Sequence, residues 1–449
     1  MLINFTVENW MSFRDSATLS MVASEEKQHG HRVPTLNAYN LSVLPIGVIY
    51  GGNASGKTNL LKALNFAKKL IVKGSDDDGR IPTIPFMTNS TSCNLPTRFH
   101  FELLIDDAVY EYSFSVTNSA VIEEKLIIDT GDGGSDDGQV LFNRQDNTID
   151  IFDIGKDTEE YHYLKTLAKL TRSNQLFLTS VCIQNITILR PIYNWFLDKL
   201  TLVAPDARFG PFKIFFDEGH PFYKKINEML SCLDVGVTRI GVEEIPFESI
   251  PRQVIKNQLE TYLNEGQSTI FMDVLSNMHY IVTRKGYELI AKKLFTYHQR
   301  CDGNEEKFDM CLESDGLRRV IELLPSFLDL SHNSSQKIYV IDDADLGLHT
   351  LITHSLLDAY LNTCSASSRS QLLLTTHDAL LIDNDLLRCD EMWFVERNFD
   401  GPSHLMSICQ YIDVTDDKDI VKRHLRGKMG GIPKTQFLPN FFCNLDSPF

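Results

Sequence analysis

The sequence predicts an α/β protein: a mostly parallel core sheet carrying a phosphate-binding turn, an antiparallel sub-sheet in the N-terminal part, and a largely helical insertion. Three observations carry this expectation. "GVIYGGNASGKTNLLKALNF", Gly47–Phe66, reads as a strand, a glycine-rich turn and a helix. Residues 98–153 alternate apolar and polar side chains. The C-terminal third alternates short apolar runs with helix-period stretches, the pattern of parallel strands covered by helices on both faces.

Taken in order, Ile3, Phe5 and Val7 mark an early strand leading into "NWMSFRDSATLSMVA". "LPIGVIY" is a short apolar strand, the next helix runs from about Lys57 to Val72, and the acidic "GSDDDGR" ends it. "RFHFELLI", "VYEYSFSV" and "GQVLFNRQDNTIDI", separated by Gly and Asp clusters, read as antiparallel hairpins. "TEEYHYLKTLAKLTRSNQLFLTSVCIQN" returns to helical character. From 189 to 290 helices and loops of mixed period are expected, with no internal repeat. Beyond it, "GLRRVIELLPSFLDL" and "HTLITHSLLDAYLNT" are helical, and "KIYVIDDAD" and "QLLLTTHDALLI" are β-rich. The expected division is a first lobe at 1–188, a mainly helical insertion at 189–290 and a second lobe at 291–449.

A chain of 449 residues with 43% hydrophobic and 10% aromatic content can bury two or three packed units. No apolar run approaches the ~18 residues of a membrane span. Glu8 stands where a signal peptide would carry positive charge, which places the protein in the cytoplasm. Nine cysteines include no CxxC pair, so reduced thiols and no zinc site are expected. The net charge of −17 disfavours non-specific binding to duplex DNA. "KLFTYHQR" and "DIVKRHLRGK" are the stretches from which a local basic patch could be built.

Residues Gly51, Gly52, Asn53, Ala54, Ser55, Gly56, Lys57 and Thr58 fit GxxxxGK[ST] in full, after a strand and at a helix start. In such a turn the glycines let consecutive backbone N–H groups curl around phosphate oxygens, and the helix N-terminus adds its positive dipole end. Lys57 is expected to reach the β- and γ-phosphates and Thr58 to offer a hydroxyl to Mg²⁺; the following Asn59 completes the expected nucleotide-binding set. "IYVIDDAD" ends an apolar strand in two carboxylates, Asp342 for the Mg²⁺ shell and Asp343 to orient or deprotonate the attacking water. His377, in "LLLTTHDALL", follows the next buried strand, and ends of neighbouring strands converge on one crevice, so it can reach the γ-phosphate. "LESDGLRRVIELL" starts a helix with Ser314 as N-cap and Gly316 allowing close approach of an oxygen-bearing ligand. A second phosphate-seeking helix start cannot readily share its own subunit's phosphates, so it fits a nucleotide held by another copy.

These four motifs in this order resemble the ATPase heads of the ABC type, in particular the RecF/SMC-like branch. The resemblance is greatest to the stand-alone AAA-type ATP/GTP phosphatase family, whose members are ATPase components of bacterial anti-phage systems such as Septu, some retrons and PARIS. It covers most of the chain outside 189–290. "ENWMSFRD" resembles the family's N-terminal segment, Gly51–Thr58 its Walker A, "ESDGLRR" its signature, "VIDDADLGLH" its Walker B and D-loop, "TTHDALLIDNDLLRCDEMWFVER" its switch histidine and following strand, and "GGIP" its tail. "RSNQLFLTS" and Gln184 occupy the region leading into the Q-loop, where Gln184 would contact nucleotide and Mg²⁺; spacing does not choose between Gln184 and Gln175.

The resemblance implies ATP and Mg²⁺ as cofactors. It also implies a homodimer, or a higher even-numbered oligomer, in which Ser314 and Gly316 of one subunit contact the γ-phosphate held at Lys57 of the next. The sequence departs from the family in having Asp343 where Glu is usual, a shorter carboxylate whose cost on the order of tenfold in rate is only ~1.4 kcal/mol of barrier. Slow turnover would suit a sensor that rests with ATP bound. The expected function is an ATPase switch of an anti-phage system that controls a separate effector protein, such as a nuclease or toxin. A RecF-like DNA-repair ATPase that clamps nucleic acid is the alternative, and a metabolic P-loop kinase or GTPase would leave Ser314, Gly316 and His377 without a role.

Overall fold

The computed structural model describes residues 1–449 except 77, 132–137, 153–157, 185, 206–220, 234–235, 251–258, 260–262, 264–267, 274–277, 398–400, 411–419, 427–428, 430 and 432–449. The chain opens with β1 (Leu2–Glu8) and β2 (Ala17–Ser20), the short pair β3 (Thr35–Leu36) and β4 (Leu41–Ser42), and then β5 (Ile46–Tyr50), which runs through the glycine turn into α1 (Lys57–Lys73). β6 (Thr97–Ile105), β7 (Ala108–Val116), β8 (Val121–Asp129), β9 (Gln139–Gln145) and β10 (Thr148–Ile151) form the expected hairpins. They join β1 and β2 in a seven-stranded antiparallel sheet of order β10-β9-β8-β7-β6-β1-β2.

Next come α2 (Glu159–Leu170), α3 (Phe177–Ile183) and α4 (Arg190–Asn194), which passes into one π-helical turn at Trp195–Lys199. β11 (Leu200–Val203), α5 (Pro221–Cys232), β12 (Val237–Ile245), β13 (Ser268–Asp273), β14 (Met278–Lys285), β15 (Glu288–Gln299) and β16 (Glu305–Asp309) follow. The last part holds α6 (Asp315–Leu330), β17 (Ile338–Ile341), α7 (Thr350–Leu361), β18 (Gln371–Thr376), β19 (Met392–Arg397), β20 (Ser403–Ser407) and α8 (Ile420–Leu425).

The core sheet has order β11-β17-β18-β5-β19-β20 and is parallel except for the edge pair β19–β20. Successive side chains on its strands point to opposite faces. Ile49, Leu373 and Val340 therefore join the core beneath α1 and the antiparallel sheet, while Val48, Leu374 and Ile341 join the core beneath α6 and α7. This double cover is why these strands read as continuous apolar runs.

The insertion corrects the expectation. Its described residues include α4, the π turn and α5, but they centre on an antiparallel sheet of order β12-β15-β14-β13, with β16 also on β15. β15 and β16 carry the sheet past 290, and β11 leaves it to pair with β17 in the core. Partner strands decide this outcome: Val237, Ile240 and Leu294 fill one core while Val282 and Ala291 fill another, a two-sided burial that only the pleated alternation provides. The closing "GGIP" lies outside the described residues apart from Gly431, whose absent Cβ leaves room for the Phe394 ring. No helix among the described residues is long and apolar enough to cross a membrane.

Candidate active site

Strand order builds the site. β18 lies between the strand that enters the glycine turn, β5, and the strand that ends in the carboxylates, β17. The carboxyl ends of all three parallel strands therefore open on one crevice. Lys57 is 4% exposed, and its Nζ donates to the carbonyl of Gly51 at 2.7 Å. The same Nζ lies 3.1 Å from Nε2 and 3.2 Å from Nδ1 of His377. His377 Nε2 is in turn 3.3 Å from Asp343 Oδ1. Lys57 and His377, 320 positions apart in the chain, thus meet in the crevice.

Asp342 is buried, and its Oδ1 accepts hydrogen bonds from Thr375 Oγ1 at 2.6 Å and Thr58 Oγ1 at 3.3 Å. These oxygens are the hard donors that Mg²⁺ prefers, and they sit where the P-loop helix meets the carboxylate strand. Asp343 has φ 46°, a left-handed backbone that aspartate tolerates better than glutamate, which gives a local reason for the shorter acid at this position. Burial, and then the Asp342 charge, push its carboxyl above the usual carboxylate range, against the pull of His377 and Lys57. Among the described residues its Oδ1 has no hydrogen bond, and His377 Nε2 approaches it at ion-pair distance only. A half-buried carboxylate held ready beside a lysine and a histidine is suited to accept a proton from water. Burial lowers the pKa of Lys57, while Asp343, Asp342 and Asp345 act to raise it.

Within the P-loop, Asn53 and Ala54 are exposed, Gly51, Ser55 and Gly56 are buried, and Gly52 accepts from Ser55 N at 3.2 Å. Gly56 has φ 119°, and a Cβ there would stand 2.5 Å from Ser403 Oγ and 2.8 Å from Ser12 Oγ. Ser403 Oγ donates to the Ser55 carbonyl at 2.5 Å. Asn59 does not turn to the crevice as expected of a nucleotide contact. Its amide donates to Ser12 Oγ at 2.9 Å, and its carbonyl accepts from Trp10 Nε1 at 2.9 Å. The turn is therefore braced from behind by the N-terminal segment and β20.

Gln184 is not brought to the site. It is exposed and caps α3, which docks through Thr179 Oγ1 on the Ile71 carbonyl at 2.7 Å. At 1.5 Å rise per residue that carbonyl is about 20 Å along α1 from Lys57. The physical reason is that a helix start was needed there, and buried Glu124 supplies it by accepting from Phe177 N and Leu178 N. Gln175 lies just before α3, and its backbone carbonyl accepts from Arg144 Nη1 at 2.7 Å.

Ser314 caps α6, its Oγ accepting from Leu317 N at 3.2 Å, and both Ser314 and Asp315 are exposed. Among the described residues no hydrogen bond or ion pair joins 314–316 to the P-loop of the same chain. Gly316 is explained by its own chain: a Cβ there would stand 2.4 Å from the carbonyl oxygen of Gly347, which has φ 73°. That close oxygen belongs to the D-loop and not to a ligand. Gly316→Ala is therefore expected to cost about 1–3 kcal/mol, read as a lowered melting temperature, because backbone and not a flexible side chain must yield; an unchanged melting temperature would mean the two loops are not packed this way.

Four contributors were not singled out from the sequence. Thr375 links Asp342 to the Asp343 N–H, from which its Oγ1 accepts at 2.8 Å. Asp345 accepts from His377 N at 3.2 Å. Arg319, 4% exposed, donates from Nη2 to the carbonyls of Asp342 at 3.0 Å and Asp343 at 3.4 Å. Ser403 braces the P-loop, as above. Thr375 lay two residues before His377 in a stretch already in view, and Arg319 lay within the signature-like "ESDGLRR"; no local pattern pointed to Ser403. A cavity of about 310 Å³ lined by Pro205, Asp315, Arg318, Arg319 and Gly347 opens beside the Ser314 turn, not over the P-loop.

With this geometry in place, comparison with known proteins is decisive for the family. The model described as "AAA domain, putative AbiEii toxin, Type IV TA system" matches residues 46–383, from the strand before the P-loop to beyond His377. The chain belongs to this AAA family. No curated protein matches it. Among solved structures it is similar to the SMC head domain from Thermotoga maritima, at 12% identity and a TM-score of 0.33, covering 90% of this chain and 98% of that one. It is also similar to an SmcHead bound to the C-winged helix domain of ScpA, at 12% identity and a TM-score of 0.38, covering 91% of this chain and 99% of that one. Likenesses this distant say nothing of activity. As a member of this AAA family the chain has an α/β fold, with its P-loop on a mostly parallel core sheet beside an antiparallel one.

Proposed function

We propose that this ATPase is a dimeric switch in which two copies enclose each ATP, and that it is the regulatory subunit of a bacterial anti-phage or toxin–antitoxin system acting through a separate effector protein. What carries the reading is the exposed, serine-capped start of α6, which among the described residues makes no hydrogen bond or ion pair with its own P-loop. Ser314 Oγ accepts from Leu317 N, so the hydroxyl hydrogen is left to donate to a phosphate oxygen presented by another copy. The toxin–antitoxin wording of the family supports the biological setting. The net charge of −17 disfavours duplex DNA as the partner.

In each site Lys57 and the P-loop N–H groups bind and orient the triphosphate, and Thr58 and Asp342 are the residues that would hold Mg²⁺. When bound, Mg²⁺ supplies positive charge to the phosphate oxygens. Asp343 takes the proton of the attacking water, and His377, beside Asp343 and Lys57, donates to the terminal phosphate. Exclusion of bulk water falls to the partner's α6 start. Specific ATPase activity is accordingly expected to fall on dilution below the dimer dissociation constant; activity per chain that stays constant on dilution would assign each chain a self-contained site.

A further inference from the structure

The residue before the capping serine is tied to a part of the chain with no role in the reading so far. Thr296 and His298 are two apart on β15 and so share one face of the insertion sheet. Both reach Glu313. Thr296 Oγ1 donates to Glu313 Oε1, and His298 Nε2 lies 2.7 Å from the same oxygen. Thr296 is fully buried, and the Glu313 side chain is 8% exposed. The His298 ring is fixed in turn by an edge contact with Phe308, centroids 4.7 Å apart. A single-turn 3₁₀ helix at Met310–Leu312 anchors the other side through fully buried Met310. Glu313 thus enters the α6 cap in an extended conformation, with its carboxylate held from the insertion and its backbone leading straight into Ser314.

We propose that Glu313 is a positioning residue: clamped by Thr296 and His298, it sets where Ser314 presents its hydroxyl, so that the insertion sheet controls capping of the partner's ATP. The proposal rests on the reading that Ser314 completes a neighbouring site. A displaced insertion sheet moves Glu313, and with it the cap, without touching the P-loop. The sheet is thereby the natural input for a signal, since its strand β15 reaches the signature turn directly.

The test uses the full-length protein and separates capping from ATP binding. Glu313→Ala is expected to lower kcat at saturating ATP by ten- to a hundredfold, about the effect of a misplacement near 1 Å. ATP affinity of dilute, uncoupled chains should stay unchanged, since Lys57 and Thr58 are untouched. Glu313→Gln keeps an oxygen that accepts from both partners and should hold kcat within about threefold. Thr296→Val, isosteric but without the hydroxyl, should lower kcat in the same direction and serves if Glu313→Ala does not fold. Glu313→Ala combined with Ser314→Ala should be no slower than Ser314→Ala alone, as expected of residues acting as one unit. The proposal is overturned if Glu313→Ala and Thr296→Val lower only the melting temperature with kcat unchanged, or if the Glu313 and Ser314 effects multiply. A wild-type rate in Ser314→Ala would instead remove the shared-site reading itself.

Discussion

Asp343→Asn lowers kcat for ATP hydrolysis by about 10²–10⁴-fold while leaving ATP binding intact, the loss expected when a positioned general base is removed. Asparagine tolerates the left-handed backbone at φ 46°, so the turn keeps its shape and the effect is chemical. Chains with this change accumulate as ATP-bound dimers, visible by size-exclusion chromatography with ATP. Stability moves the other way. The carboxyl of Asp343 is raised above its usual value by burial and by Asp342, so its ionised form is disfavoured in the folded protein. Such a group favours the fold at low pH, and that advantage is lost as pH rises through the raised value. Removing the charge removes the penalty at neutral pH, and the melting temperature holds or rises. For the wild type, the acidic limb of the kcat/KM profile, which reports the free protein, is expected above the usual carboxylate range for the same reason. A kcat for Asp343→Asn within threefold of wild type would take Asp343 out of the mechanism.

Lys57→Ala removes the buried cation of the crevice. Truncating one partner of a buried charge pair costs on the order of 2–5 kcal/mol, so ATP affinity should fall by about thirtyfold or more. The loss reaches further than one contact, because Lys57 also helps keep Asp343 ionised. Equilibrium titration with a fluorescent ATP analogue checks this. Affinity within about fivefold of wild type would mean that the glycine turn is not a nucleotide cradle.

The P-loop was legible because its chemistry is local: eight consecutive residues and the strand–helix context define it. Asp342, Asp343 and His377 were legible because each closes an apolar run, and parallel strands bring such ends together. The insertion was not: β12, β13 and β14 lie in a stretch of mixed local period, and only pairing with one another and with β15 makes them a sheet. β11 is four residues long, too short to signal that it rejoins the core. Gln184 failed for the complementary reason: its place came from sequence order, while α3 docks at the far end of α1. Gly316 stands out in the sequence as a place for a ligand oxygen to approach, and the structure adds an oxygen of its own chain, that of Gly347, 31 positions on.

Mixing two inactive variants tests the shared site most directly. Ser314→Arg blocks the cap and keeps the cradle; Lys57→Ala loses the cradle and keeps the cap. If each ATP lies between two copies, an equal mixture regains about a quarter of the wild-type rate, since half of random dimers are mixed and each mixed dimer retains one of two sites. No recovery, in a population shown by mass to contain mixed dimers, would contradict a site built from two copies.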